Sequence, residues 1–224
     1  MRLIVFDCDG TLIDSQHLIV AAMGVAFAAN GLPTPARSRV LRIVGLSVSE
    51  AVAAVSESLD EALVANLAAA YRNAFAGLRQ KPGFTEPMYP GAREAIESLA
   101  ADASLLLGVA TGKSRRGVDL FLAREDLAPL FATIQTADDA PSKPHPEMLL
   151  RAMAETGASP ADTIMIGDSS YDMLMARNAG VTAIGVGWGY HTAEDLLEAG
   201  AVAMARDFPH LLALLGGKDA VAAA

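Results

Sequence analysis

The sequence predicts a doubly wound, parallel α/β sheet of the Rossmann-like kind, with a small all-helical domain inserted into it. Three observations lead there. Short apolar runs rich in branched residues recur at 3–6, 104–110, 132–134, 163–166 and 181–186, each the length of a buried parallel strand. Helical patterns separate them at 92–101, 115–123, 146–156, 171–178 and 192–198, the alternation expected of βαβ units. One stretch, 15–80, breaks the rhythm and contains no convincing strand.

In chain order, the run at 3–6 ends abruptly at Asp7-Cys8-Asp9-Gly10, a strand running into a polar loop. Asp7 and Asp9 are two residues apart, so in an extended segment they point the same way and Cys8 points the other way, into the core. Asp14 and Ser15 precede the first helical pattern and read as its caps. Helices are expected over 15–30, 36–43, 48–58 and 60–80, with breaks at Gly31-Leu32-Pro33 and Gly45. The chain returns through Lys81-Pro82-Gly83 and Tyr89-Pro90-Gly91. The expected division is therefore an α/β core over 1–14 and 88–216, a helical cap over 15–87, and a frayed tail over 217–224. Two short linkers joining a helical module to the core predict a hinged lid.

Composition narrows the function classes. The 224 residues carry a formal charge of −9, so nothing resembles the basic footprint of a nucleic-acid or anionic-membrane binder. An acidic chain that handles an anion must build its own positive potential, and a metal ion does that best. Cys8 is the only cysteine, which rules out an internal disulfide. A carboxylate at position 7 interrupts any signal-peptide apolar region, and the longest mostly apolar stretch, 18–29, is too short to span a bilayer. The expectation is a cytoplasmic monomer or homodimer with no nucleic-acid or membrane partner.

Ligands of open α/β sheets bind outside the carboxyl ends of the strands. Each predicted strand has polar residues there. The first is followed by Asp7, Asp9 and Gly10-Thr11, and the second by Thr111-Gly112-Lys113. Ser142-Lys143-Pro144 follows the third, and Gly167-Asp168-Ser169-Ser170-Tyr171-Asp172 the fourth. Three carboxylates at one sheet edge, Asp7, Asp9 and Asp168, would repel each other without a cation. His17 and His145 lie near these segments and read as local hydrogen-bonding residues, and the glycines of 185–189 as a loop over the site or as the end of a strand.

These residues resemble the four motifs of the haloacid dehalogenase-like superfamily, in order: Asp7-Cys8-Asp9-Gly10-Thr11, then Thr111, then Lys143, then Gly167-Asp168 with Asp172 four residues on. The helical insertion after the first motif is similar to that family's small cap, and the resemblance spans 2–215. It implies a Mg²⁺-dependent phosphatase in which Asp7 is the nucleophile and an aspartyl-phosphate the intermediate. It further implies that Asp9 is the general acid and then base, and that Asp7, the Asp9 main-chain carbonyl and Asp168 hold the ion. Thr111, Gly112 and Lys143 would bind the phosphoryl group, and Asp172 would orient Lys143 or a metal-bound water.

Asp9 argues against dehalogenation, and the absence of lysine over 15–80 against phosphonate cleavage through a Schiff base. A β-phosphoglucomutase-type phosphotransferase is the nearest competitor, but the positions where that branch carries a cap histidine and arginine hold Ile19 and Val48. A catalytically vestigial phosphate-binding module is a second alternative, opposed by the retention of Asp7 and Asp9. The expected partner is a small phosphorylated metabolite, phosphoglycolate-like or a sugar phosphate, with Arg42 of the segment 42–47 pairing with a substrate carboxylate.

Overall fold

The computed structural model describes residues 1–58 and 60–216, so the tail expected over 217–224 lies outside the described residues. Six parallel strands form one sheet in the order β3-β2-β1-β4-β5-β6. They are β1 (Arg2–Phe6), β2 (Leu105–Thr111), β3 (Thr133–Thr136), β4 (Thr163–Gly167), β5 (Thr182–Val186) and β6 (Ala203–Ala205). The five strands read from sequence are present within a residue or two. The sixth was not read: it is a three-residue Ala-Met-Ala edge segment, too short to show a period.

Alternation along β1 shows why both faces must be covered. Ile4 and Phe6 enter one apolar cluster, Leu3 and Val5 the other, and all four are fully buried. Three helices supply the first cluster: α5 (Ala92–Ala100) through Ile96, α6 (Arg115–Arg124) through Phe121, and α10 (Phe208–Gly216) through Leu211. The second is supplied by α7 (Glu147–Thr156) through Leu149, α8 (Ser170–Asn178) through Met173, and α9 (Ala193–Ala199) through Leu196. The strand order reverses beside β1, which puts the crevice of the doubly wound sheet at the carboxyl ends of β1 and β4.

Among the described residues, the regular elements of the inserted stretch are all helices: α1 (Gln16–Ala29), α2 (Arg37–Leu41), α3 (Val48–Ser56) and α4 (Glu61–Leu78). These helices bury a separate cluster that includes Met23, Phe27, Val40, Val52 and Leu67. Leu67→Ala should therefore cost about 2–5 kcal/mol of stability in urea unfolding monitored by circular dichroism, since Leu67 is fully buried there. The two linkers run side by side, Asp14 N donating to Pro87 O at 2.8 Å and Tyr89 N to Leu12 O at 3.0 Å. Among the described residues, no helix is long and apolar enough to cross a membrane.

Candidate active site

The first strand delivers Asp7 to the crevice, buried to 1% exposure, with its amide donating to Ile166 O of β4 at 2.9 Å. Lys143 Nζ donates to Asp7 Oδ1 at 2.7 Å and to Asp172 Oδ1 at 2.6 Å, and is itself fully buried. Asp7 Oδ2 is buried without a hydrogen-bond partner. Burial alone would lower the Lys143 ammonium, but the carboxylates of Asp172 and Asp7 more than offset that and hold it charged. Burial pushes the Asp7 carboxyl from its ordinary value near 3.8 up to about 7, against the pull of Lys143.

Asp168, at the end of β4, is equally buried. It accepts from Thr11 Oγ1 at 3.2 Å and from Tyr190 N at 2.9 Å. Burial, with Asp7 next, pushes its carboxyl up as well. Two glycines make room for it. A Cβ at Gly10 would lie 2.2 Å from Asp168 Oδ2, at a φ of +90°, and one at Gly189 would lie 2.1 Å from Asp168 Cβ. The loop after β5 read as covering the site does reach it, through Tyr190 and through Trp188 Nε1 donating to Thr11 O at 3.0 Å.

Carboxylate oxygens of Asp7, Asp168 and Asp172 lie within 4.8 Å of one another. Three buried carboxylates face one buried ammonium, and one of their oxygens has no partner, so the residues fit a hard cation. The Asp9 carboxylate is not in this cluster. Asp172 is tied to Lys143 on one oxygen, while its other accepts from Ser169 N at 3.0 Å and Ser169 Oγ at 2.6 Å in the capping box that starts α8.

Asp9 joins a second charged group, one that sequence reasoning missed. Lys113 Nζ donates to Asp9 Oδ1 and to Glu86 Oε1, both at 2.8 Å. Arg79 Nη2 meets Glu86 Oε2 at 2.5 Å, and Arg124 Nη2 donates to Glu86 O at 2.6 Å. Glu86 is 2% exposed. Lys113 stood in the predicted strand-end group without a role, and Glu86 in the return linker carried no signal, because their pairing is tertiary. Ser15 corrects a reading: its side chain makes no capping bond and instead donates to Asp9 Oδ1 at 2.6 Å. His145 Nδ1 accepts from Glu147 N, the local bond expected of it.

Thr111 ends β2, buried, with its Oγ1 accepting from Lys113 N at 3.2 Å. Gly112 lies under the cap: a Cβ there would come within 2.5 Å of the carbonyl oxygens of Gly45 and Leu46. Ser47 N donates to Ser142 Oγ at 2.8 Å beside it, so the loop between α2 and α3 sits directly on the core. Asp7, Asp9, Thr111, Gly112 and Lys113 line a cavity of about 630 Å³ beneath the cap.

Arg42, expected to pair with a substrate carboxylate, does not line that cavity. Val40 and Val44, four residues apart, are buried inward, and Arg42 leaves from the other side of the turn. Its side chain is 69% exposed, 3.8 Å from Asp195 of α9.

Known proteins resemble the chain along its length. The family model described as haloacid dehalogenase-like hydrolase matches residues 4–186. A Dickeya dadantii protein named "Probable phosphatase IndB" is 36% identical over 203 residues, covering 88% of this chain and 86% of the relative. The phosphoglycolate phosphatase of Photorhabdus laumondii is 28% identical over 218 residues, covering 96% and 93%. The pyrophosphatase PpaX of Bacillus pumilus is 30% identical over 214 residues, covering 95% of each. The crystal structure of a hydrolase from Pseudomonas syringae superposes with a TM-score of 0.84 at 30% identity, covering 96% of this chain and 98% of that one.

Proposed function

The chain belongs to the haloacid dehalogenase-like hydrolases and is a phosphatase of that family, and from that membership we propose that it hydrolyses small organic phosphomonoesters, with Mg²⁺, through an aspartyl-phosphate on Asp7. The observation that carries the reading is Asp7 itself: buried, gripped on one oxygen by Lys143, and free of any hydrogen bond on the other. Asp7, Asp168 and the main-chain carbonyl of Asp9 would hold the ion. When bound, it supplies positive charge that lets a carboxylate meet a phosphate dianion.

In the first step an Asp7 oxygen gives its electron pair to phosphorus and the bond to the alcohol oxygen breaks. Asp9, as general acid, gives a proton to the departing oxygen. In the second step Asp9 takes a proton from water as the water oxygen attacks phosphorus, releasing phosphate and restoring Asp7. Lys143, Thr111 Oγ1 and the amides near Gly112 hold the phosphoryl oxygens. Asp172 holds Lys143. Ile19 and Val48 line the cavity as apolar walls at the two positions where the mutase branch carries its cap histidine and arginine. That favours hydrolysis over phosphotransfer.

Phosphate release from a panel of phosphoesters and pyrophosphate, with Mg²⁺ and with EDTA, tests the reading. Release that stops in EDTA is expected. Equal release in both buffers would remove the ion from the reaction, and no release from folded protein would remove the phosphatase activity.

The cap, as a lid, should exclude bulk water until the intermediate breaks down. Gly112→Ala puts a methyl group against Gly45 O and Leu46 O, so closure should fail. Because a displacement of about 1 Å can cost on the order of 100-fold, kcat should fall by about that factor. The melting temperature should stay close to wild type. Unchanged kcat would mean that the loop need not seat on Gly112.

A further inference from the structure

Resting on the phosphatase reading above, we propose that the alcohol part of the substrate carries a flat ring, seated against Tyr71 and Phe75 of the cap. The phosphoryl group takes only the floor of the cavity, at Asp7, Thr111 and Gly112. The rest of the roughly 630 Å³ cavity is lined by residues of α1, α3, α4 and α6 and of the loops beside them. Ile19, Met23, Val48, Tyr71, Phe75 and Leu120 wall that part of it. Apolar cavities of this size are those of cofactor- and drug-sized ligands. A two-carbon acid would leave apolar side chains facing water and forfeit their contacts.

Two observations select a ring rather than an aliphatic chain or a carboxylate seated beside Asp9. Tyr71 and Phe75 stand one turn apart on α4 with ring centroids 5.8 Å apart and planes tilted by 42°, so they offer aromatic surface on the cap side of the cavity, with Lys113 Nζ 5.2 Å from the Phe75 centroid. The cations beside Asp9 are already engaged, Lys113 by Asp9 and Glu86 and Arg79 by Glu86, so they do not offer a carboxylate pocket. Arg42 lies outside the cavity, while Arg72 and Arg116 line it from exposed positions. Polar groups on the ring's far side would meet these arginines.

Pyridoxal 5′-phosphate, uridine 5′-monophosphate and phosphoglycolate all release a primary alcohol, so comparing them isolates the pocket. One of the two ring esters should exceed phosphoglycolate in kcat/KM by at least about tenfold, the discrimination an apolar pocket gives for little more than a methylene of contact. Ala76, exposed on α4, lines the cavity, and Ala76→Trp should fill it. The kcat/KM ratio of that ring ester to phosphoglycolate should then fall at least about tenfold, in a variant whose melting curve is shown to be normal. Preference for phosphoglycolate in the wild type, or an equal loss on every ester in Ala76→Trp, overturns the ring while leaving the phosphatase. Failure to hydrolyse any ester with Mg²⁺ overturns the phosphatase reading, and the ring with it.

Discussion

Asp7→Asn should abolish phosphate release, by on the order of 10⁴-fold or more, because the variant keeps the shape of the side chain and loses the nucleophile. Labelled substrate quenched in acid should leave label on the wild-type protein, released by hydroxylamine as an acyl phosphate is, and none on the variant. The fold should survive. Lys143 keeps Asp172 at 2.6 Å, and burial already disfavours the ionised form of Asp7, so a neutral amide is tolerated there. In EDTA the variant should melt no lower than wild type, since one of three crowded carboxylates is gone. Turnover that persists in a folded variant would refute the assignment of Asp7.

Much of this site was legible because its chemistry sits where local pattern is strongest. Asp7, Thr111 and Asp168 each end an apolar run, and a parallel strand buried on both faces announces itself by such a run. Lys143 ends no strand and was found by its place in the motif order. What failed needed tertiary information. Glu86 is 27 residues from its partner Lys113, and nothing local marks it as buried. Ser15 looked like a cap because serine before a helix usually is one, yet its hydroxyl donates to Asp9 Oδ1 and accepts nothing from the first turn of the helix. The place of Arg42 outside the cavity had a readable signal: apolar Val40 and Val44 at helical spacing mark which side of that turn faces inward. The edge strand β6 had none, being three residues of small side chains.

Lys143→Met tests whether that ammonium is the charge that makes the carboxylate cluster tolerable. Methionine keeps an unbranched side chain one heavy atom shorter, and Asp7, Asp168 and Asp172 are left buried with no ammonium among them. Removing one partner of a buried ion pair costs about 3–5 kcal/mol, so a loss of that order is expected in EDTA. The pH dependence carries the sign. The Asp7 carboxyl has a folded pKa of about 7, above its ordinary 3.8. Protonation therefore favours the fold, and that stability is present below 3.8 and lost as pH rises through about 7. Lys143 opposes the rise, so without it the loss should be larger and should extend to higher pH. The stability gap between variant and wild type should widen from about pH 4 to about pH 8. Mg²⁺ should raise the stability of both proteins by binding the folded state alone, while kcat of the variant stays depressed by on the order of 10²–10³-fold, because the phosphoryl group still lacks its fixed donor. A gap that does not change with pH would mean that the three carboxylates are compensated by something other than Lys143. Recovery of full turnover with Mg²⁺ would mean that the ammonium serves the fold and not the reaction.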